Sequence, residues 1–459
     1  MVFSSLVFLL VFLTVVLIAN YFLPMRFKNI FLLLANLIFY AYGEPVYVLL
    51  MIASVIMNYL AAMSIEKTVS EARRRAILIL CIVLNLGSLA FFKYISFFAD
   101  TLRLIPAFSA LPRFSVRLPI GISFYTFQAM SYCIDVYTGE CRSARSFVDF
   151  AAYISLFPQL IAGPIVRYCD VDRQLGERRT SVEMLGTGIR LFSIGLAKKV
   201  LLANQFGIVW DSVSANVSSF GTLGAWAGAV AYAMHIYFDF AGYSDMARGL
   251  GKMLGFDFCI NFNYPYISKS VTEFWRRWHI SLSTWFRDYL YIPLGGNRLG
   301  KGRMCFNILI VWGLTGLWHG AGWNFIAWGL YYGIILLAEK LLYGEKLAKS
   351  SAFVGHIYTL LVVIIGWIFF ASESFTAAFE YLKVMFVPTP GNARPLIGRA
   401  FTLAVGVVAS TPLACRLWNA AKSKRRLTAA ETALCAASLL LCIASLVTDS
   451  YNPFLYFRF

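Results

Sequence analysis

The sequence predicts an all-α protein that crosses a membrane many times, and three observations predict it. Of its 459 residues, 59% are hydrophobic and 14% charged, whereas soluble domains carry about 25% charged residues. The mean hydropathy is +0.69, more apolar surface than one soluble core of this length can hide. Apolar runs long enough to cross, or nearly cross, about 30 Å of hydrocarbon follow one another along the whole chain.

The runs fall near residues 4–23, 29–42, 45–63, 76–98, 119–137, 147–166, 184–207, 225–248, 304–319, 322–341, 353–371, 397–417 and 431–448. Some are short or carry polar groups, so the expectation is about 11 true spans with the remainder re-entrant. The first run has no basic residue before it and no small-residue cleavage site after it, and reads as a retained helix. Arg26 and Lys28, then Lys67 with Arg73, Arg74 and Arg75, mark cytoplasmic loops and place the N-terminus outside. Arg167, Arg173, Arg178 and Arg179 mark a further inner loop, as does "KSKRR" at 422–426. The net charge of +17 reads as basic loops facing anionic lipid headgroups; no nucleic-acid motif is present. Nine cysteines include no CxxC pair, so buried free thiols are expected and no zinc site.

The densest charge lies in "FWRRWHISLSTWFRDYLYIPLGGNR", Phe274 to Arg298. As one helix over 274–291, it places Trp275, His279, Leu282 and Phe286 on one face, with Arg276, Arg277, Ser281, Thr284, Arg287 and Asp288 opposite. Arginines facing phosphates and tryptophans at the interface describe an anchoring helix equally well. Against that, an imidazole in the apolar face needs a partner or a task.

A second histidine, His319, follows Trp318 in "LIVWGLTGLWHGAGWNFIAWGLYYG", 309–333. Gly316 and Gly320, then Gly329 and Gly333, are spaced to let helix backbones approach closely. Ionisable groups at membrane depth mark pathways or reactive sites. His235 and His356 have less around them and read as structural. Three polar islands remain: Ser123 to Asp135, Gln159 with the Gly163-Pro164 break, and Asp239 with Ser244, Asp245 and Arg248. Each serves equally as interhelical hydrogen bonding or ion pairing. Together the breaks argue for a polar cavity, because freed backbone groups in a bilayer need protein or water. With no Walker loop, no GxSxG and no cysteine beside an evident base, two histidines suit proton abstraction from an alcohol and direct acyl transfer.

These two blocks, with "PIGISFYTFQ", "FPQLIAGPI", "YFDFAGYSDMA" and "NPFLYFRF", resemble the membrane-bound O-acyltransferases (MBOAT), nearest to the alginate O-acetyltransferase, AlgI-like branch. The resemblance implies one integral membrane domain over 1–459, a ring of about 11 tilted helices plus re-entrant helices around a central tunnel, and a core block at 274–333. It implies His319 as catalytic base and His279 as an assisting histidine, donating to the thioester carbonyl or oxyanion or fixing the acceptor. No bound cofactor is implied. A cytoplasmic thioester, acetyl-CoA, supplies the acyl group to a hydroxyl of an extracytoplasmic polysaccharide, through an exported SGNH-type acetyltransferase or acetyl-carrier protein, in the bacterial inner membrane. Substrate-binding candidates are Trp275, Arg276, Arg277, Arg287, Asp288 and Trp318, with Asp239, Gln159 and Ser123 lining the tunnel. D-alanyl transfer to teichoic acid and secondary transport are the alternatives, the latter disfavoured because the sequence shows no paired halves.

Overall fold

The computed structural model describes residues 1–421, 427–448 and 454–455, and no strand occurs among them. The basic run at 422–426 and most of the terminal "NPFLYFRF" motif lie outside the described residues. The helices are α1 Val7–Phe22, α2 Met25–Gly43, α3 Tyr47–Lys67, α4 Glu71–Arg103, α5 Ile122–Thr138, α6 Phe147–Ile154, α7 Phe157–Leu160 and α8 Tyr168–Glu177. They continue as α9 Val182–Ala197, α10 Asn204–Ser214, α11 Val217–Leu254, α12 Val271–Arg277, α13 Ile280–Phe286, α14 Lys301–His319, α15 Trp323–Lys349 and α16 Ala352–Ala371. The remainder are α17 Phe375–Phe386, α18 Ala400–Ala409, α19 Leu413–Ala421 and α20 Leu427–Thr448. Among the described residues five helices are long and apolar enough to cross a membrane: α3, α4, α15, α16 and most of α20. The bent pair α18 and α19, turning by 66°, makes a sixth if it acts as one span.

The chain packs into two compact units, Met1–Phe192 with Met246–Cys259, and Ser193–Asp245 with Ile260–Phe459. In the first, α1 buries Phe8 and Val16 and turns Leu10, Val11, Val15 and Ile18 outward, as lipid solvation demands. Helix α5 is the reverse case: nearly every residue is buried, including Ser123, Thr126, Gln128, Ser131 and Asp135. It is a polar helix enclosed by protein, not a lipid-facing span. Between α3 and α4, Asn58 and Asn85 exchange amide hydrogen bonds at 2.9 and 3.2 Å. All nine cysteines are free thiols; Cys81, Cys133 and Cys442 are buried and Cys435 half-buried.

The apolar run at 147–166 is not one helix. α6 ends at Ile154, α7 is a single turn, and the chain forms no helix through Gly163-Pro164. Side chains take up the freed backbone groups. Asn36 Oδ1 accepts the Phe157 N–H at 3.1 Å, Gln159 Nε2 donates to the Tyr153 carbonyl at 2.7 Å, and the Tyr153 hydroxyl donates to the Val166 carbonyl at 2.8 Å. This is the condition under which irregular backbone is tolerated at membrane depth.

The second unit centres on an aromatic core that includes Tyr237, Tyr266, Trp275, Trp278, Trp328, Tyr332 and Trp367. α14 and α15 form its tightest hairpin. A Cβ on Gly316 would lie 2.2 Å from the Phe325 carbonyl oxygen, and one on Gly329 would lie 2.1 Å from the Trp312 carbonyl oxygen. Of the spaced glycines, Gly316 and Gly329 thus make backbone-to-backbone contacts, whereas Gly320 and Gly333 lie against side chains. Elsewhere in the unit a buried pair, Lys199 Nζ to Asp239 Oδ1 at 2.5 Å, is completed by the Leu455 N–H, which donates to Asp239 Oδ2 at 2.8 Å. The Phe454 ring covers the ammonium at 4.8 Å.

Gly316→Leu is expected to splay the hairpin, since overpacking costs about 1–3 kcal/mol even where neighbours can adjust, and here the neighbour is backbone. Thermal unfolding in detergent should show a drop of several degrees or loss of monodisperse protein. Gly302→Ala, on the same helix with no neighbour within 4 Å, should unfold like the parent.

Candidate functional site

The sequence pattern read 274–291 as one continuous helix; the structure divides it. α12 starts earlier, at Val271, behind an N-cap: Ser270 Oγ accepts from the Glu273 N–H at 3.0 Å, and the Glu273 carboxylate accepts from the Lys269 N–H at 2.9 Å. That S-x-x-E arrangement is a sequence-visible helix start. The helix stops at Arg277, and His279 has φ 43° and ψ 54°. A left-handed conformation at a residue with a Cβ costs on the order of 1–3 kcal/mol, so something must hold it. The segment after α11 does so. The Asn263 N–H donates to the Arg277 carbonyl at 2.9 Å, and the Ile280 N–H donates to the Asn261 carbonyl at 3.0 Å. Asn261 Oδ1 accepts from the Ser281 N–H at 3.1 Å and the Ser281 hydroxyl at 3.0 Å, and faces His279 Nδ1 at 3.3 Å. Helical periodicity cannot anticipate this, because the partner lies in a loop of no regular pattern.

His279 is 1% exposed and boxed by aromatic rings. Phe240 meets it edge-on at 4.6 Å, and Trp318 does so at 5.9 Å. Burial holds its imidazole well below the usual histidine range, at about 3, so the ring is neutral at neutral pH. His319 ends α14, also buried, with Trp318, Trp328 and Phe370 edge-on at 5.0, 5.0 and 5.4 Å.

Both histidines line one cavity of about 990 Å³, at the upper end of the 300–1,000 Å³ typical of small-molecule sites. Its buried lining includes Trp275 and Thr315 beside the two imidazoles. Its exposed lining carries Lys269, Arg276, Arg287 and Lys340. The two carboxylates in the wall are engaged. Glu273 pairs with Arg277 at 2.9 Å, and buried Glu339 accepts the Val271 and Thr272 N–H groups at 2.6 and 2.9 Å and the Thr272 hydroxyl at 2.6 Å. A largely aromatic interior, its buried Glu339 held by hydrogen bonds, thus opens beside a cationic margin suited to an anionic donor.

Of the residues singled out from the sequence, His279, His319, Trp275, Arg276 and Arg287 line this cavity. Trp318 packs on both histidines. Arg277 turns to Glu273 and the Asn263 carbonyl, and Asp288 pairs with Arg287 at 2.7 Å. Asp239 is engaged by Lys199 and Leu455. Ser123, within 3.4 Å of Lys93 Nζ, and Gln159 belong to the first unit. His235 and His356 place Nδ1 on the carbonyls of Ala203 and Ser268, at 2.7 and 3.0 Å. The sequence reading missed Asn261 and Glu339. Glu339 had a faint signal, an acid near the end of an apolar run; Asn261 had none. Among the described residues one group offers three metal-type ligand atoms within 4.8 Å of one another, Asp135, Cys141 and Cys169, in the first unit. There the Cys169 thiol donates to Asp135 at 3.1 Å.

A many-helix membrane architecture with two buried histidines in one cavity defines a membrane enzyme built for group transfer. Residues 46–376 match the MBOAT, membrane-bound O-acyltransferase family. The chain belongs to this family and is a multi-pass membrane O-acyltransferase. It is similar to the "Probable alginate O-acetylase AlgI" of Azotobacter vinelandii, 43% identical over 84% of this chain and 78% of that one. The protein of the same name from Pseudomonas putida is 39% identical over 100% of both. The "Peptidoglycan O-acetyltransferase" of Helicobacter pylori is 35% identical over 78% of this chain and 74% of that one.

Glu339→Ala should remove the acceptor for two N–H groups at the start of α12 and cost about 1–2 kcal/mol, the scale of a helix cap. Detergent thermal unfolding reads this as a lowered midpoint, with Glu339→Gln in between.

Proposed function

We propose that this protein takes an acetyl group from a cytoplasmic thioester, acetyl-CoA, and delivers it to a hydroxyl of an extracytoplasmic polysaccharide from the bacterial inner membrane. The observation that carries the reading is the shared cavity: His279 and His319, 40 positions apart in sequence, line one space whose exposed part holds Arg276 and Arg287. The relatives named for alginate and peptidoglycan acetylation support a polymer acceptor. An exported SGNH-type acetyltransferase or acetyl-carrier protein completes delivery. A ring of about 11 tilted and re-entrant helices around a tunnel is the architecture this route requires.

In this mechanism the acceptor oxygen attacks the thioester carbonyl carbon while His319 takes its proton. The carbon–sulfur bond then breaks, the thiolate leaves, and the His319 imidazolium returns the proton to sulfur. General-base help of this kind contributes about 10²–10⁴-fold. His279 assists by hydrogen bonding within the same cavity. Arg276 and Arg287 hold donor phosphates, with charge-assisted bonds of about 1.5–3 kcal/mol each.

His319→Ala should abolish polymer acetylation in cells at unchanged membrane abundance; persisting acetylation removes it as the base. Arg276→Gln with Arg287→Gln should raise the KM for acetyl-CoA at least about tenfold, with kcat nearly retained. In liposome assays, an unchanged KM assigns these arginines to lipid headgroups instead.

A further inference from the structure

We propose that Asn261 is a positioning residue that fixes His279 as its Nδ1–H tautomer, leaving Nε2 as the lone-pair nitrogen. His279 then engages substrate by accepting a hydrogen bond, from a hydroxyl or an amide N–H, and does not donate one to the oxyanion. This role for the ring rests on the acyl-transfer reading; the tautomer itself does not.

The argument begins at Ser281. Its backbone N–H lies 3.1 Å from Asn261 Oδ1, and a backbone N–H only donates. The atom facing it must therefore be the amide oxygen, because a flipped amide would set two donors against each other. The same oxygen faces His279 Nδ1 at 3.3 Å. An amide oxygen only accepts, so Nδ1 carries the hydrogen, and a neutral imidazole has just one. The geometry is stiff. Asn261 and His279 are each 1% exposed. The Asn261 carbonyl is held by the Ile280 N–H at 3.0 Å, and the φ of 43° at His279 turns its ring toward the loop carrying Asn261. The rings packed on His279, those of Phe240, Phe262 and Trp318, bring no charge that would favour the imidazolium. Second-sphere groups that select a histidine tautomer in this way decide which nitrogen is left for chemistry.

The chemical consequence is a division of labour. Two histidines in one cavity could both serve as bases, or one could act as an electrophilic donor. With Nδ1–H tied to Asn261, only acceptance remains at Nε2. Proton removal at the attacking oxygen falls to His319, and His279 holds a neighbouring substrate hydroxyl or amide N–H in place.

The test is ¹⁵N NMR of histidine-labelled protein in lipid at neutral pH. There are four histidines, and His279→Gln assigns the resonance. The expected spectrum shows protonated Nδ1 and bare Nε2 for His279. Asn261→Leu should move the ring toward the Nε2–H form and lower kcat/KM for acetyl transfer about tenfold to a hundredfold, the scale of losing one buried hydrogen bond. Asn261→Asp keeps the accepting oxygen and should keep Nδ1–H and most of the activity, which covers the case in which the leucine variant fails to fold. A wild-type spectrum with hydrogen on Nε2 overturns the proposal, as does Asn261→Leu or Asn261→Asp with the opposite outcome. The spectrum needs no substrate. If wild-type protein moves no acetyl group yet shows Nδ1–H, the acetyl-transfer reading fails and the tautomer assignment stands.

Discussion

Between Asn261 and Asn263 a short irregular segment supplies the hydrogen bonds that a continuous helix would have made for itself. It takes the Ile280 N–H, gives an N–H to the Arg277 carbonyl, and receives the Ser281 N–H on a side-chain oxygen. Without these bonds the left-handed turn at His279 would relax into ordinary helix. His279 would then rotate with the helix face and leave the wall it shares with His319. The site's geometry thus depends on a loop satisfying a broken helix.

The surroundings of the two imidazoles follow the same economy. A charge in a low-dielectric interior is felt strongly and is costly to maintain. The buried lining accordingly holds its acid, Glu339, with backbone and hydroxyl donors, and the cations stand where the wall is exposed. Edge-on packing of Trp318, Trp328 and Phe370 around His319 fixes the ring. The two wall carboxylates are engaged, one by an arginine and the other by the first turn of α12.

Much of this was legible in the sequence, and the unread part has a physical reason. Composition and apolar runs gave the helical membrane class. The glycines around His319 read as places where backbones approach closely, and Gly316 and Gly329 are where α14 and α15 do so. Both histidines stood out because imidazole in an apolar setting needs explaining. The continuous 274–291 helix was a misreading: periodicity reports which face a residue would occupy if the helix continued, and carries no information about a tertiary bond from eighteen residues upstream. The same blindness hid Asn261. Asp239 read both as a tunnel group and as an ion-pair partner, since a lone buried carboxylate reads alike in both roles, and it pairs with Lys199.

That ion pair has a consequence in time. One oxygen of Asp239 is neutralised by Lys199, forty residues before it, and the other waits for an amide 216 residues after it. A nascent chain must therefore carry a carboxylate without its second partner until residue 455 has been made. Phe454 then closes over the ammonium. Completion of this interior thus waits on a segment more than 200 residues beyond the helices it locks.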